Sequence, residues 1–162
     1  MAVDILNASF DPGEALSAFD RQCTGAGAVV SFLGKVRGDD GAVTGLYLEH
    51  YPGVTERTIS GFVDEARARW AIENCRILHR VGTLAPDEPI VFVAVAARHR
   101  RSAFDAGAFL MDYLKTRALF WKKELCVDGD RWIDPRREDY EDADRWRETG
   151  APSEWPLASM KA

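Results

Sequence analysis

The run Ile90 to Ala97 contains no polar side chain. A strand-length stretch with no polar face has to sit at the centre of a sheet, with other elements built around it. The turn cluster Ala85-Pro86-Asp87-Glu88-Pro89 precedes it, and a helical pattern follows it. The spacing predicts that helix from Ala103 to about Arg117, capped by Ser102 with Asp105 three positions on, and burying Phe104, Phe109, Leu110, Tyr113 and Leu114. Upstream, Asp11-Pro12 opens a helix to about Gln22, with Asp as N-cap and Pro at the first helical position. Ala28 to Val36 is apolar and β-branched and reads as a buried strand. Thr44 to His50 alternates, and the two strands are expected to form a hairpin across Gly38-Asp39-Asp40-Gly41. After Pro52-Gly53, Thr55 is the expected N-cap of a helix whose apolar stripe is Ile59, Phe62, Val63, Ala66 and Trp70. Cys75 to Val81 alternates as a strand. Leu119 to Val127 and Arg131 to Ile133 read as two short strands around Asp128-Gly129. A short helix near Glu138 to Arg147 and a loosely ordered tail are expected after them. Helices and strands mix without a regular βαβ rhythm, which gives an α+β class. Residues 1–136 are expected to form the main domain, and residues 137–162 an acidic helix and tail.

With 162 residues the chain suits one domain. No stretch approaches the length of a membrane helix. Met1 to Phe10 carries Asp4 and lacks a basic start followed by a long apolar run, so no signal peptide is expected and the cytosol is the default location. The three cysteines (Cys23, Cys75, Cys126) and three histidines (His50, His79, His99) show no ligand-like spacing, so neither a metal site nor a disulfide framework is expected. The formal net charge of −5 argues against a general nucleic-acid binder. Positive charge is nonetheless concentrated in Arg98-His99-Arg100-Arg101 and in Lys115 to Lys123, while Glu138 to Glu148 holds most of the compensating acid. Local positive charge in an acidic chain suits a small anionic ligand better than a long polyanion.

Several residues could carry chemistry, each with a plainer alternative. Arg98 to Arg101 joins strand to helix, where free backbone N–H groups and the helix dipole favour an anion; the alternative is a solvated charged loop. Lys115 is either a cation satisfying a helix C-terminus or an active amine. In a strand, Trp121 and Lys123 face one way and Lys122 and Glu124 the other. A lysine beside apolar surface or a second cation has a depressed pKa and can act as base or nucleophile. Lys115 and Lys122 lie seven residues apart across a helix-to-strand turn, close enough to converge on one pocket. Arg37 either reaches a phosphate or marks an exposed strand end, and His50 more often orients a loop than catalyses.

Taken together, Phe32-Leu-Gly-Lys-Val-Arg37, Leu48-Glu-His-Tyr-Pro-Gly53, Glu65-Ala-Arg-Ala-Arg-Trp70, His79-Arg-Val-Gly82, Ala97-Arg-His-Arg100, Met111-Asp-Tyr-Leu-Lys-Thr-Arg117 and Phe120-Trp-Lys-Lys-Glu124 follow one another in a specific order. In these the chain resembles the large, catalytic subunits of molybdopterin synthases, from about Gly25 to Arg136. The resemblance implies an α/β-hammerhead fold with a mixed or antiparallel sheet and flanking helices. It implies a homodimer of large subunits, each holding a small ubiquitin-like sulfur carrier that ends in a Gly-Gly thiocarboxylate. The implied reaction transfers two sulfurs to cyclic pyranopterin monophosphate, forming the dithiolene of molybdopterin, with no metal or other cofactor. By position, Lys115 and Lys122 match the family's essential lysines. Arg37, His99 and Arg100 match its anion- and pterin-contacting residues, and Lys35, Val36, Lys123 and Glu124 line the same region. On this basis Lys115 is expected to act as general acid/base or acyl acceptor, and Lys122 to hold the carrier terminus or stabilise negative charge. Leu119 stands where the family commonly has Pro, and Arg101 where a small polar residue is common. The chain ends Met160-Lys161-Ala162, so the carrier is expected to be a separate protein. Two competing readings are a docking module without chemistry, which would not require both lysines, and a nucleic-acid binder, which the acidic total and the lack of an aromatic-interleaved basic strip disfavour.

Overall fold

The apolar run becomes β6 (Pro89–Ala97), and its two faces explain its composition. Val91, Val93, Val95 and Ala97 enter one core and Phe92, Ala94 and Ala96 enter another. The structure, a computed structural model, describes residues 2–147. One sheet runs in the order β1 (Ala2–Leu6), β4 (Asn74–Arg80), β6, β2 (Ala28–Lys35). Its β1–β4 pair is parallel and the others are antiparallel. Helices α2 (Val54–Trp70) and α3 (Arg100–Thr116) cover one face through Ile59, Phe62, Phe109 and Leu110. Helix α1 (Pro12–Arg21) covers the other through Phe19. A strand buried on both faces has no use for polar residues, which is why β6 lacks alternation.

The second sheet runs β5 (Gly82–Leu84), β3 (Val43–His50), β7 (Phe120–Cys126), β8 (Arg131–Ile133). The expected mixed sheet is thus realised as two sheets, in keeping with the α+β class. Helix α4 (Arg137–Asp144) closes the described chain, and its Ala143 is buried in the main core. The expected loose tail falls on residues 148–162, outside the described ones. Among the described residues, no helix is long and apolar enough to cross a membrane.

Five expectations are corrected. β2 and β3 form no hairpin: β2 pairs with β6 and β3 with β5 and β7. The turn between them, with Asp39 and Asp40 at positive φ, carries the chain from one sheet to the other. β2 is an edge strand rather than a buried one, which leaves Phe32 45% and Leu33 39% exposed. The N-cap of α2 is Gly53, not Thr55. The chain leaves β3 through a left-handed residue (φ 77°), which glycine adopts without strain, and the Glu56 carboxylate accepts the Gly53 N–H at 2.6 Å. Finally, α3 starts at Arg100 with His99 as N-cap, three residues before the expected start. Its buried face is Ala103, Ala106, Phe109, Leu110, Tyr113 and Leu114, so Phe104, one step round the helix, is 62% exposed rather than buried. Strands β1 and β5 are additional to the expected set. The Asp11 cap, with its carboxylate accepting the Glu14 N–H at 2.9 Å, is as expected.

Candidate active site

Lys115 lies in the last turn of α3 and Lys122 in β7, joined by a bend at Arg117 to Leu119. That bend is pinned from across the fold. The buried Thr55 hydroxyl donates to the Leu119 carbonyl at 3.0 Å and accepts the Tyr51 N–H at 3.0 Å. A tertiary hydrogen bond thus holds the turn at Leu119.

Both lysines line a cavity of about 260 Å³. Arg37 enters it from the segment after β2, Glu124 from β7, and Ile133, Asp134, Pro135, Arg136 and Asp139 from β8 and the start of α4. Four cations and three carboxylates therefore face one small space. Lys115 Nζ lies 2.8 Å from Asp139 Oδ1. Asp139 Oδ2 accepts the Arg136 N–H at 2.7 Å. Asp139 is held below its ordinary pKa: the hydrogen bonds from Lys115 and the Arg136 backbone overcome burial, the largest single influence, which acts the other way. Glu124 pairs with Arg131 at 2.9 Å. Lys122 is pushed below the ordinary lysine range, first by burial and then by the charge of Lys115, with Asp139 opposing. A larger depression of about 400 Å³ between α1 and β2 is lined by Leu16, Ser17, Asp20, Val29 and Ser31, and none of these is a cation.

Beneath β7, the buried His79 stacks on Phe120 with ring centroids 3.9 Å apart. Burial, then the charge of Lys122, lowers its pKa to about 3. The ring is therefore neutral, and its Nδ1–H donates to the Arg80 carbonyl at 2.9 Å.

The other residues singled out from sequence lie elsewhere in the chain. Val36 is 4% exposed in the second sheet's core, and its N–H and carbonyl are both bonded, to Glu88 and Asp87. Lys35 is exposed beside Asp87 at 3.8 Å. Lys123 projects from the opposite face of β7 and lies 5.5 Å from the rings of both Tyr47 and Trp132. His50 lies 3.6 Å from Glu56 at the start of α2, in the loop-orienting position. His99 and Arg100 are exposed at the opposite end of α3, about 22 Å from Lys115 at 1.5 Å per residue. Asp134, Arg136 and Asp139 were not anticipated, and the one local signal for them is the capping spacing of Arg136 and Asp139. Among the described residues no group of three or more His, Cys, Asp or Glu is placed to hold a metal ion.

The profile of the MoaE protein family matches residues 5–117. The chain belongs to the MoaE family. The matched segment carries Arg37, His99, Arg100 and Lys115 and stops before β7. The Pseudomonas aeruginosa molybdopterin synthase catalytic subunit is 51% identical over 150 residues, covering 91% of this chain and all of that protein. The Escherichia coli molybdopterin synthase catalytic subunit is 53% identical over 122 residues, covering 74% of this chain and 81% of its own length. The solved structure of the molybdopterin biosynthesis MoaE protein from Burkholderia ambifaria superposes with a TM-score of 0.77 at 42% identity, covering 91% of this chain and 99% of that one. A MoaE chain is thus recognisable at both levels.

Proposed function

We propose that this chain is the catalytic subunit of a cytosolic molybdopterin synthase, moving sulfur from the thiocarboxylated Gly-Gly terminus of a small ubiquitin-like carrier to cyclic pyranopterin monophosphate. The observation that carries this reading is the convergence of Lys115 and Lys122 with Arg37 and Arg136 on one cavity. Both reactants are anionic, one a thiocarboxylate and the other a cyclic phosphate, and clustered cations bind and orient such groups. Each transfer makes a carbon–sulfur bond on the pterin as a carbon–oxygen bond there breaks, one opening the cyclic phosphate and the other releasing water, and hydrolysis of the carrier's acyl–sulfur bond leaves its terminus as a carboxylate. Protons must move as these bonds change, and an amine whose pKa is lowered by burial can move them.

The geometry supports a different division of labour from the one expected from sequence. Lys122, desolvated and next to a second cation, is the better proton acceptor. Lys115, paired with Asp139, is the anchor for the carrier's terminus. Arg37 and Arg136 receive phosphate, and Glu124, which lines the same cavity, pairs with Arg131. His99 and Arg100 cannot reach this cavity within one chain, so their pterin contacts belong to a homodimer. The free edge of β2 suits that assembly: antiparallel pairing of two copies along it swaps its ends, bringing the start of one α3 towards Lys35 and Arg37 of the other. Mixing the chain with a thiocarboxylated carrier and the cyclic pterin should yield the dithiolene product, and Lys115→Ala should abolish it. Turnover by Lys115→Ala near the wild-type rate would remove Lys115 from the mechanism.

A further inference from the structure

Asp139 is bound at both carboxylate oxygens, by Lys115 Nζ at 2.8 Å and by the Arg136 N–H at 2.7 Å, and its side chain is 12% exposed. The second bond is the N-terminal capping interaction of α4, so the carboxylate cannot swing away without opening that helix end. The other end of this segment is tied back to α3. Asp112, three residues before Lys115, accepts from Trp146 Nε1 at 2.7 Å and pairs with Arg145 at 2.8 Å. Ala143 between them is buried in the core. Thus α3 fixes the position of α4, and α4 returns a carboxylate to the one lysine of α3 that faces the cavity.

An ammonium carries three N–H donors. One is directed at Asp139, which leaves two for a ligand in the cavity. The carboxylate also offsets the repulsion among Lys115, Lys122 and Arg136, which would otherwise crowd three like charges into a partly desolvated space. We propose that Asp139 is a positioning residue for sulfur transfer: it holds the Lys115 ammonium at the cavity wall and aims its remaining donors at the incoming anionic terminus. This rests on the reading of the cavity as a sulfur-transfer site.

Two variants separate charge from shape. Asp139→Asn keeps an oxygen for the Arg136 N–H and removes the charge; Asp139→Glu keeps the charge and displaces it. In single-turnover assays with thiocarboxylated carrier and cyclic pterin, Asp139→Asn should slow the reaction about ten- to a hundredfold, the range expected when a hydrogen bond to a charged group is lost. The carrier concentration giving half-maximal rate should stay level or fall, because no resident carboxylate then competes for the ammonium. Asp139→Glu should recover part of the rate. An Asp139→Asn rate equal to wild type overturns the proposal, and so do equal losses in both variants accompanied by a lowered melting temperature. A second measurement needs no turnover: pH-controlled acetic anhydride labelling of the chain alone, with Lys35 as internal reference. Lys115 should label several-fold faster in Asp139→Asn, and an unchanged ratio overturns the positioning role. If wild type makes no product while the labelling ratio changes, the sulfur-transfer reading fails and the placement of Lys115 by Asp139 stands.

Discussion

Removing an ammonium from water and setting a second ammonium beside it both disfavour its charge, and the two conditions meet at Lys122. If the neutral amine is the working form, the single-turnover rate must rise with pH as Lys122 loses its proton. Because its pKa is lowered, that rise should fall below the ordinary lysine value of 10.5. Lys122→Arg keeps positive charge but cannot give up a proton at these pH values, so it should cost on the order of a hundredfold or more in rate. An arginine variant with wild-type rate and profile would show that only the charge matters. Alternation in a strand and the spacing across the helix-to-strand turn put Lys122 and Glu124 on the side facing Lys115, but it was the family resemblance that picked out the two lysines, Arg37 and Glu124 as site residues. Val36, named through the same resemblance, follows Lys35 and precedes Arg37 in the chain but has its side chain in the second sheet's core. Asp139 was invisible for a different reason. Its segment read as compensating acid, and its role exists only once α4 has docked on α3.

At the scale of elements, the bend between α3 and β7 depends on one hydroxyl from α2. Thr55→Val keeps the shape and deletes both of its hydrogen bonds, leaving the Tyr51 N–H and the Leu119 carbonyl short of a partner. The expected loss is about 1–3 kcal/mol of folding stability, together with slower sulfur transfer as the two lysines lose their fixed separation. Urea unfolding and single-turnover rates measured on the same variant check this; unchanged stability would mean that packing alone holds the bend. Periodicity announced α2, β3 and β4, the Asp11-Pro12 cap announced α1, the unbroken apolar run announced β6, and the Asp128-Gly129 turn set off β7 and β8, all with little displacement. What it could not announce was pairing. β2 and β3 are consecutive, apolar and separated by a turn cluster, yet they enter different sheets, because the ladder partner is chosen by tertiary packing. The same blindness made β2 seem buried: its residues resemble a central strand, and within one chain one of its edges is open.

For the whole molecule, that open edge is the main unfinished surface. Exposed apolar residues on an unpaired strand invite a partner, and a twofold axis through β2 would cover Phe32 and Leu33 while delivering His99 and Arg100 to the neighbouring cavity. Leu33→Lys should therefore shift the chain from dimer to monomer in light scattering and weaken use of the pterin, without lowering the melting temperature of the fold by more than a few degrees. A dimer that survives this change would place the contact elsewhere. Fold class, the lysine-bearing segment and the family were all readable from the chain, whereas the separation of Arg100 from Lys115 along α3, on which the proposed role of a second copy rests, appears only in the fold. The most direct test of the account follows sulfur itself. Carrier bearing isotopically labelled sulfur in its terminal thiocarboxylate is mixed with the chain and the cyclic pterin, and the label is tracked by mass spectrometry. Two labelled sulfurs should appear in the pterin product with wild type and none with Lys115→Ala or Lys122→Arg on the same time scale. Label that remains on the carrier with wild type, or moves equally fast in the lysine variants, would contradict the central claim.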